Sequence, residues 1–148
     1  MKNSILNIAL ADDDEDDRMF FGEALEELAL QVKFSLFENG QELLDFLNLP
    51  KTVLPKLVFL DLNMPIKNGL ECLREIRQNS KLKDLSVAIY STSSSEKDIE
   101  DTFLNGANIY INKTNSFSKL KEALEKVLKI DWQYNPPKLS RDTFLLRI

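Results

Sequence analysis

The chain has 148 residues, of which 43% are hydrophobic and 29% are charged, proportions that are usual for a single globular domain. Its net charge of -5 disfavours a protein that binds the phosphates of nucleic acids directly. It contains no histidine, which excludes histidine-based catalytic triads and histidine-ligated zinc, and its single cysteine, Cys72, excludes an internal disulfide.

Five short apolar runs are spaced along the chain, and each predicts a β-strand. Four are continuous, as in strands of a parallel sheet that is covered on both faces, namely residues 5–11, 57–60, 87–90 and 109–111. The remaining run, residues 32–36, alternates between apolar and polar residues, which predicts a strand at the edge of the sheet. The first run is too short to span a bilayer and ends at Asp12, so we expect a cytoplasmic protein with no membrane segment.

Helical periodicity follows each of these runs. The clearest example places apolar residues at Phe117, Leu120, Leu124, Val127 and Leu128. The second helix begins with residues that resemble a capping box, Asn39 with Glu42, and the third begins with another such pair, Asn68 with Glu71. The cap-like Ser95 precedes the fourth helix, three residues before Asp98. Five consecutive strand–helix units predict a three-layer (βα)5 domain of the α/β class with right-handed crossovers.

The domain is predicted to occupy residues 1–130, and residues 131–148 are too few to form a second one. This tail contains Pro136-Pro137 and a set of apolar side chains that would form an exposed patch in water. They are Trp132, Tyr134, Phe144, Leu145, Leu146 and Ile148. We therefore expect the tail to pack onto its own domain or onto a partner subunit.

Polar residues lie where the predicted strands end, which is where open α/β sheets bind ligands. Asp12 and Asp13 follow the first strand, and Asp61 ends the third. Carboxylates from neighbouring strands repel one another unless a cation lies between them, and all-oxygen ligands favour a hard cation such as Mg²⁺. The fourth strand ends in Ser91-Thr92-Ser93, and Lys113 follows the fifth. The remaining acids of the first loop, Asp14, Asp16 and Asp17, are expected to cap and solvate the first helix.

In order and spacing these residues resemble bacterial response regulator receiver domains over roughly residues 4–130. The matching positions are Asp12-Asp13, Asp61 with Met64-Pro65, Gly69, Ser91, Gly106-Ala107 and Lys113. The chain is also similar to single-domain receivers of Bacteroidetes-type bacteria, which carry a short tail with Trp and Pro. The resemblance implies a flavodoxin-like, doubly wound parallel sheet with the strand order 2-1-3-4-5.

The resemblance further implies a two-component signalling switch that is not an enzyme. Asp61 would accept a phosphoryl group from a histidine kinase or a histidine phosphotransfer protein. Lys113 and Ser91 would contact that group. Asp13, Asp61 and the main-chain carbonyl of Asn63 would bind Mg²⁺ directly, while Asp12 would act through a metal-bound water.

The same resemblance assigns the switch to Ser91 and Tyr110, which would move together toward the phosphoryl group. Asn63 and Ser93 would flank the path of the attacking water and set the rate of dephosphorylation. An unidentified downstream protein would receive the signal, and the face of the fourth helix, fifth strand and fifth helix could form a homodimer.

Three positions depart from the usual pattern of the family. Thr114 stands where a proline, usually with a cis bond, is typical. A cis bond before a residue other than proline is costly, which favours a trans bond after Lys113, but the sequence leaves the conformation of that bond open. Thr92 is bulkier than usual and is expected to narrow access to Asp61, and Ser91 replaces the commoner threonine but keeps its hydroxyl group.

Two other functions remain open at this point. A Mg²⁺-dependent phosphatase on a similar scaffold would also use an aspartate nucleophile, but such enzymes usually carry a second aspartate where this chain has Asn63. A degenerate receiver would act as a binding module without phosphate, but the complete set of acids, Ser91 and Lys113 argues against it.

Overall fold

Helices and parallel strands alternate in the computed structural model, which describes residues 5–130 and 144–146. The strands are β1 Leu6–Ala11, β2 Val32–Phe37, β3 Leu57–Leu60, β4 Ser86–Ser91, β5 Ile109–Asn112 and β6 Leu145–Leu146. The helices are α1 Glu15–Glu26, α2 Gly40–Leu47, α3 Gly69–Gln78, α4 Glu96–Leu104 and α5 Phe117–Leu128. Among the described residues, no helix has both the length and the apolar character needed to cross a membrane.

All strands pair in parallel in the order β2-β1-β3-β4-β5-β6, which confirms the predicted order 2-1-3-4-5 and adds one strand to it. The continuous apolar runs of β3 and β4 are fully buried. The alternating run forms β2, which lies at the edge of the sheet and is only partly buried, as predicted.

Two hydrophobic cores cover the two faces of the sheet. On one face α1 and α5 contribute Phe21, Leu25 and Leu124, which pack against apolar residues of the strands. On the other face α2, α3 and α4 contribute residues such as Leu43 and Ile76. The predicted three-layer (βα)5 arrangement is therefore confirmed.

Side-chain caps fix where the helices begin. Asn68 and Glu71 form the complete capping box that the sequence predicts for α3. The predicted box at α2 forms only in part, because Asn39 accepts from the backbone of Glu42 while the Glu42 carboxylate accepts from the backbone of Glu38. These bonds satisfy backbone N–H groups that have no partner inside the helix.

The last described residues extend the sheet and cover one end of a core. β6 pairs with β5, with Leu145 beside Tyr110 and Leu146 beside Ile111. Phe144 is fully buried, and its ring centroid lies 5.2 Å from that of Phe103 and 6.1 Å from that of Tyr110. The prediction that the tail packs onto its own domain is thus confirmed for Phe144 and Leu145.

The other tail residues on which that prediction rested lie outside the described residues; they are Trp132, Tyr134, Pro136, Pro137 and Ile148. The division into a domain at residues 1–130 and a tail at residues 131–148 stays a prediction.

Candidate functional site

The parallel strands bring the predicted site residues to one edge of the sheet. The residues that directly follow the strands form one further backbone hydrogen bond with the neighbouring strand. The N–H group of Asp61 donates to the carbonyl of Ala11 at 3.0 Å. In the same way, the N–H group of Lys113 donates to the carbonyl of Ser91 at 2.8 Å. The positions of Asp61 and Lys113 are therefore set by the sheet itself and not by a mobile loop.

Three carboxylates meet at this edge. Asp12, Asp13 and Asp61 each offer an oxygen, and these three atoms lie within 4.8 Å of one another. Asp12 is fully buried and Asp61 is 6% exposed, whereas Asp13 is exposed to solvent. Burial raises the pKa of Asp61 to about 6, against the opposing charge of Lys113 and with the help of the Asp12 charge.

The cluster has the chemistry of a divalent-cation site. Within the described residues, Asp12 Oδ2 is buried and accepts no well-aligned hydrogen bond, although the Lys113 ammonium lies 2.8 Å away. A hard cation would satisfy such an oxygen and relieve the repulsion among the three carboxylates. The residues present therefore fit a divalent cation.

Lys113 provides the positive charge of the site. Its Nζ lies 2.8 Å from Asp12, 2.7 Å from Asp17 and 3.3 Å from Asp61, and its side chain is only 8% exposed. Burial acts to lower the pKa of Lys113, but the contacts with Asp12 and Asp17 outweigh it and raise this pKa. The ammonium therefore stays charged near neutral pH.

Asp17 corrects one expectation, since it was predicted to cap and solvate α1. Asp14 is the residue that caps this helix, by accepting from the backbone N–H of Asp17 at 3.0 Å. The Asp17 side chain turns instead toward Lys113. The helical period could have predicted this orientation of Asp17. The residue precedes the buried residues Phe21 and Ala24 by four and seven positions, so it lies on the same face of α1 as they do.

The loop after β3 holds the Asp61 carboxylate in one orientation. The backbone N–H of Leu62 donates to Asp61 Oδ1 at 2.8 Å, which leaves Oδ2 on the side of Lys113. Gly69 makes this close packing possible, since a Cβ at that position would lie 2.2 Å from the main-chain oxygen of Asp61. In the same loop Asn63 is exposed, and Ile66 has a φ of 69°, a left-handed conformation that is rare for a β-branched residue.

The loop after β4 links Ser91 to Tyr110 through Ser93. The backbone N–H of Ser93 donates to Ser91 Oγ at 3.1 Å, and the Ser93 carbonyl accepts from the Tyr110 hydroxyl at 2.8 Å. Asn112 Nδ2 donates to the same carbonyl at 2.9 Å, and Ser93 Oγ donates to Asp98 at 2.6 Å. Sequence reasoning missed Asn112 and Asp98, whose partners are set only once the loop has folded.

The side chain of Tyr110 is fully buried. β6 and Phe144 cover this part of β5.

A cavity of about 610 Å³ opens beside Lys113. It is lined by Asp16, Asp17, Phe20, Thr92, Lys113, Thr114 and Asn115. The bond between Lys113 and Thr114, which the sequence left open, is trans. Thr92 lies at the cavity wall, and its effect on access to Asp61 stays a prediction.

Comparison with known proteins gives one consistent result. A family model described as "Response regulator receiver domain" matches residues 8–125. The chain is 30% identical over 134 residues, 87% of this chain and 86% of the relative, to the probable methanogenesis regulatory protein FilR2 of Methanothrix harundinacea. It is similar in structure to the phosphorylated cyanobacterial phytochrome response regulator RcpA, with 29% identity and a TM-score of 0.79 over 88% of this chain and 96% of that one. It is also similar to the Mn²⁺-bound form of response regulator Rcp1, with 26% identity and a TM-score of 0.76 over 88% of this chain and 97% of that one.

Proposed function

Since the chain belongs to the response regulator receiver family of two-component systems, we propose that it is a phosphorylation switch whose acceptor is Asp61. The observation that carries this proposal is the position of Asp61, which is buried close to Asp12, Asp13 and the Lys113 ammonium. We take a histidine kinase or a histidine phosphotransfer protein as the donor.

In the transfer, a carboxylate oxygen of Asp61 forms a bond to phosphorus as the bond between phosphorus and the donor nitrogen breaks. The nitrogen keeps the electron pair of that bond, and the product is an acyl phosphate. The hydrogen bond from the Leu62 backbone to Asp61 Oδ1 fixes the carboxylate and leaves Oδ2 toward the ammonium, which supports this role. The protein contributes positioning and charge rather than turnover, so we regard it as a signalling module and not as an enzyme.

Asp13, Asp61 and the carbonyl of Asn63 would hold Mg²⁺, and Asp12 would act through a metal-bound water. The cluster of carboxylate oxygens within 4.8 Å supports this assignment. When bound, Mg²⁺ supplies positive charge that offsets the phosphoryl oxygens. Rcp1 has been described in a Mn²⁺-bound form, which is the same class of ion.

Lys113 and Ser91 would complete the phosphoryl contacts. The ammonium of Lys113 lies 3.3 Å from Asp61 Oδ2, close enough to donate to an oxygen of a group attached there. Ser91 is buried at the end of β4, and its hydroxyl group can donate a hydrogen bond to a phosphoryl oxygen.

The switch would run from Ser91 to Tyr110. Ser93 bonds to both residues, through its N–H group to Ser91 Oγ and through its carbonyl to the Tyr110 hydroxyl. A movement of Ser91 toward a new phosphoryl group would therefore strain the Ser93 bonds and change the environment of Tyr110. The added charge of about -1.5 to -2 is sufficient to bias a loop of this kind.

Asn63 and Ser93 would set the lifetime of the phosphoryl group. Asn63 is exposed beside Asp61, where an attacking water can approach. Ser93 Oγ is already engaged with Asp98, so it would orient water weakly.

An unidentified downstream protein, or a second copy of the chain, would read the change at the face of α4, β5 and α5. Because β6 pairs with β5, a partner that approaches this edge of the sheet would meet the C-terminal segment first. A cytoplasmic location stays a prediction.

The test is labelling by acetyl phosphate in the presence of Mg²⁺, followed by intact-protein mass spectrometry. We expect one phosphoryl group on the wild-type protein and none on Asp61→Asn. The matched control is Asp45→Asn on the exposed face of α2, which should be labelled like the wild type. Full labelling of Asp61→Asn would overturn the assignment, and release of phosphate over many turnovers would instead favour a phosphatase.

A further inference from the structure

Lys113 has one carboxylate partner that the phosphorylation site does not need. An ammonium group has three N–H donors, and Nζ of Lys113 faces three carboxylates. Asp12 and Asp61 belong to the cluster that fits a divalent cation, whereas Asp17 does not. Asp17 comes from α1, and its side chain is 37% exposed.

The distances show where the ammonium is held. It lies 2.7 Å from Asp17 and 2.8 Å from Asp12, but 3.3 Å from Asp61. Asp17 therefore holds the charge on the α1 side of the site. A phosphoryl group on Asp61 would need the same ammonium, and the negative charge of Asp17 would compete for it.

We propose that Asp17 is a positioning residue that holds the Lys113 ammonium back from Asp61 and so slows the phosphorylation of this receiver. The proposal rests on the proposed function, because it concerns the same transfer to Asp61. Among the described residues, Asp17 accepts a hydrogen bond from Lys113 and lies outside the cluster of Asp12, Asp13 and Asp61, so we assign its effect to Lys113.

The cavity beside Lys113 makes this effect testable with a small donor. Asp16, Asp17 and Lys113 all line the cavity, so a donor that approaches from this side meets the pair formed by Asp17 and Lys113. Asp16 is exposed and adjacent in sequence, so a neutral variant at Asp16 removes the same charge from the same cavity wall without removing the contact.

The experiment compares Asp17→Asn with Asp16→Asn in the full chain, using acetyl phosphate and Mg²⁺ and measuring the initial rate of labelling. We expect about a three- to tenfold faster rate for Asp17→Asn, as suits the loss of one partly exposed ion pair, and less than about a twofold change for Asp16→Asn. Asp17→Glu keeps the charge and should retain the slow rate. The increase should persist at high salt, which screens the general field of the protein more than a direct contact.

A double-mutant cycle separates positioning through Lys113 from a general charge effect. On a Lys113→Gln background, Asp17→Asn should give no further increase, because the residue through which it acts is gone. An unchanged or slower rate for Asp17→Asn, an equal increase for Asp16→Asn, or the same increase on the Lys113→Gln background would each overturn the proposal.

These outcomes leave the proposed function standing as long as the wild type is labelled and Asp61→Asn is not. If the wild type is not labelled, the proposed function fails, and the role of Asp17 fails with it.

Discussion

Phe144 is the residue through which the C-terminal segment should stabilise the domain. It is fully buried although it lies far along the chain from α5, and it packs edge-on against Phe103 of α4 and Tyr110 of β5. β6, which directly follows it, has only two residues, so its backbone bonds alone cannot hold the segment in place. Replacing Phe144 with alanine should therefore release the segment as well as remove the side chain.

The expected cost follows from the burial. Truncation of a fully buried phenylalanine to alanine typically costs 3–5 kcal/mol, of which burial contributes roughly 1.5–3 and aromatic pairs about 0.5–1.5 each. Because a released segment leaves no closed cavity, we expect the lower end, about 3 kcal/mol. For a domain of this size that corresponds to a fall in melting temperature of roughly 6–12 °C.

The assay is urea denaturation of Phe144→Ala followed by circular dichroism, with the melting temperature as a second measurement. Leu104→Ala is the matched control, since Leu104 is 69% exposed beside Phe103 and should change the unfolding free energy by less than about 0.5 kcal/mol. A change for Phe144→Ala that is as small as the control would refute the reasoning, because the segment would then contribute nothing to the folded state.

Four further predictions follow from the site. Mg²⁺ should raise the melting temperature of the wild type, as a ligand selective for the folded state does, and should raise that of Asp13→Ala much less. Ile66→Asn should increase stability by about 1 kcal/mol in denaturation experiments, since Ile66 is 77% exposed at a φ of 69° that asparagine tolerates better; Ile66→Val should not. Gly69→Ala should cost about 2 kcal/mol or more in unfolding free energy and slow labelling by acetyl phosphate, because its Cβ would lie 2.2 Å from a main-chain oxygen. In metal-free protein, burial raises the pKa of Asp61 from 3.8 to about 6. The folded state therefore favours the protonated carboxyl group, and the stability of the wild type falls as pH rises from about 4 through 6. The melting temperature of Asp61→Asn should accordingly be higher than that of the wild type at pH 7.5, and the difference should shrink toward pH 4.

The placement of the strands was predictable because apolar side chains must be buried. Continuous apolar runs such as residues 57–60 need cover on both faces, and the alternating run at residues 32–36 does not, so their places in the centre and at the edge of the sheet follow from burial. The proximity of Asp12, Asp61 and Lys113 was predictable because the carboxyl ends of parallel strands lie at one edge of the sheet. The sixth strand was not predictable, because two residues carry no periodicity and their pairing depends on contacts far away in sequence.

The links between Ser91, Ser93 and Tyr110 lie beyond sequence reasoning for a different reason. The Tyr110 hydroxyl and the Asn112 amide both donate to the carbonyl of Ser93, an acceptor that every residue possesses. Because a main-chain carbonyl is present whatever the residue type at position 93, the sequence does not predict these two hydrogen bonds. Changing the Ser93 side chain therefore tests its bond to Asp98, whereas the two bonds to its carbonyl persist in any such variant.

For Asp17, the periodicity of α1 predicts the helix face on which the side chain lies, but it does not predict that Lys113 is its partner. Among the acids that follow β1, it is the one that precedes Phe21 by four residues and Ala24 by seven, which puts a charge on the buried face of α1. The Asp17 side chain is 37% exposed, so it is only partly buried, and a partner of opposite charge offsets the cost of that partial burial. Lys113 is that partner, and it makes this contact with the same ammonium that the acceptor requires. The acidic run at the start of α1 is typical of a solvated helix terminus, yet one of its members, Asp17, contacts Lys113 of the candidate site. The spacing of Asp17 from the buried residues of α1 identifies it among the acids of the run.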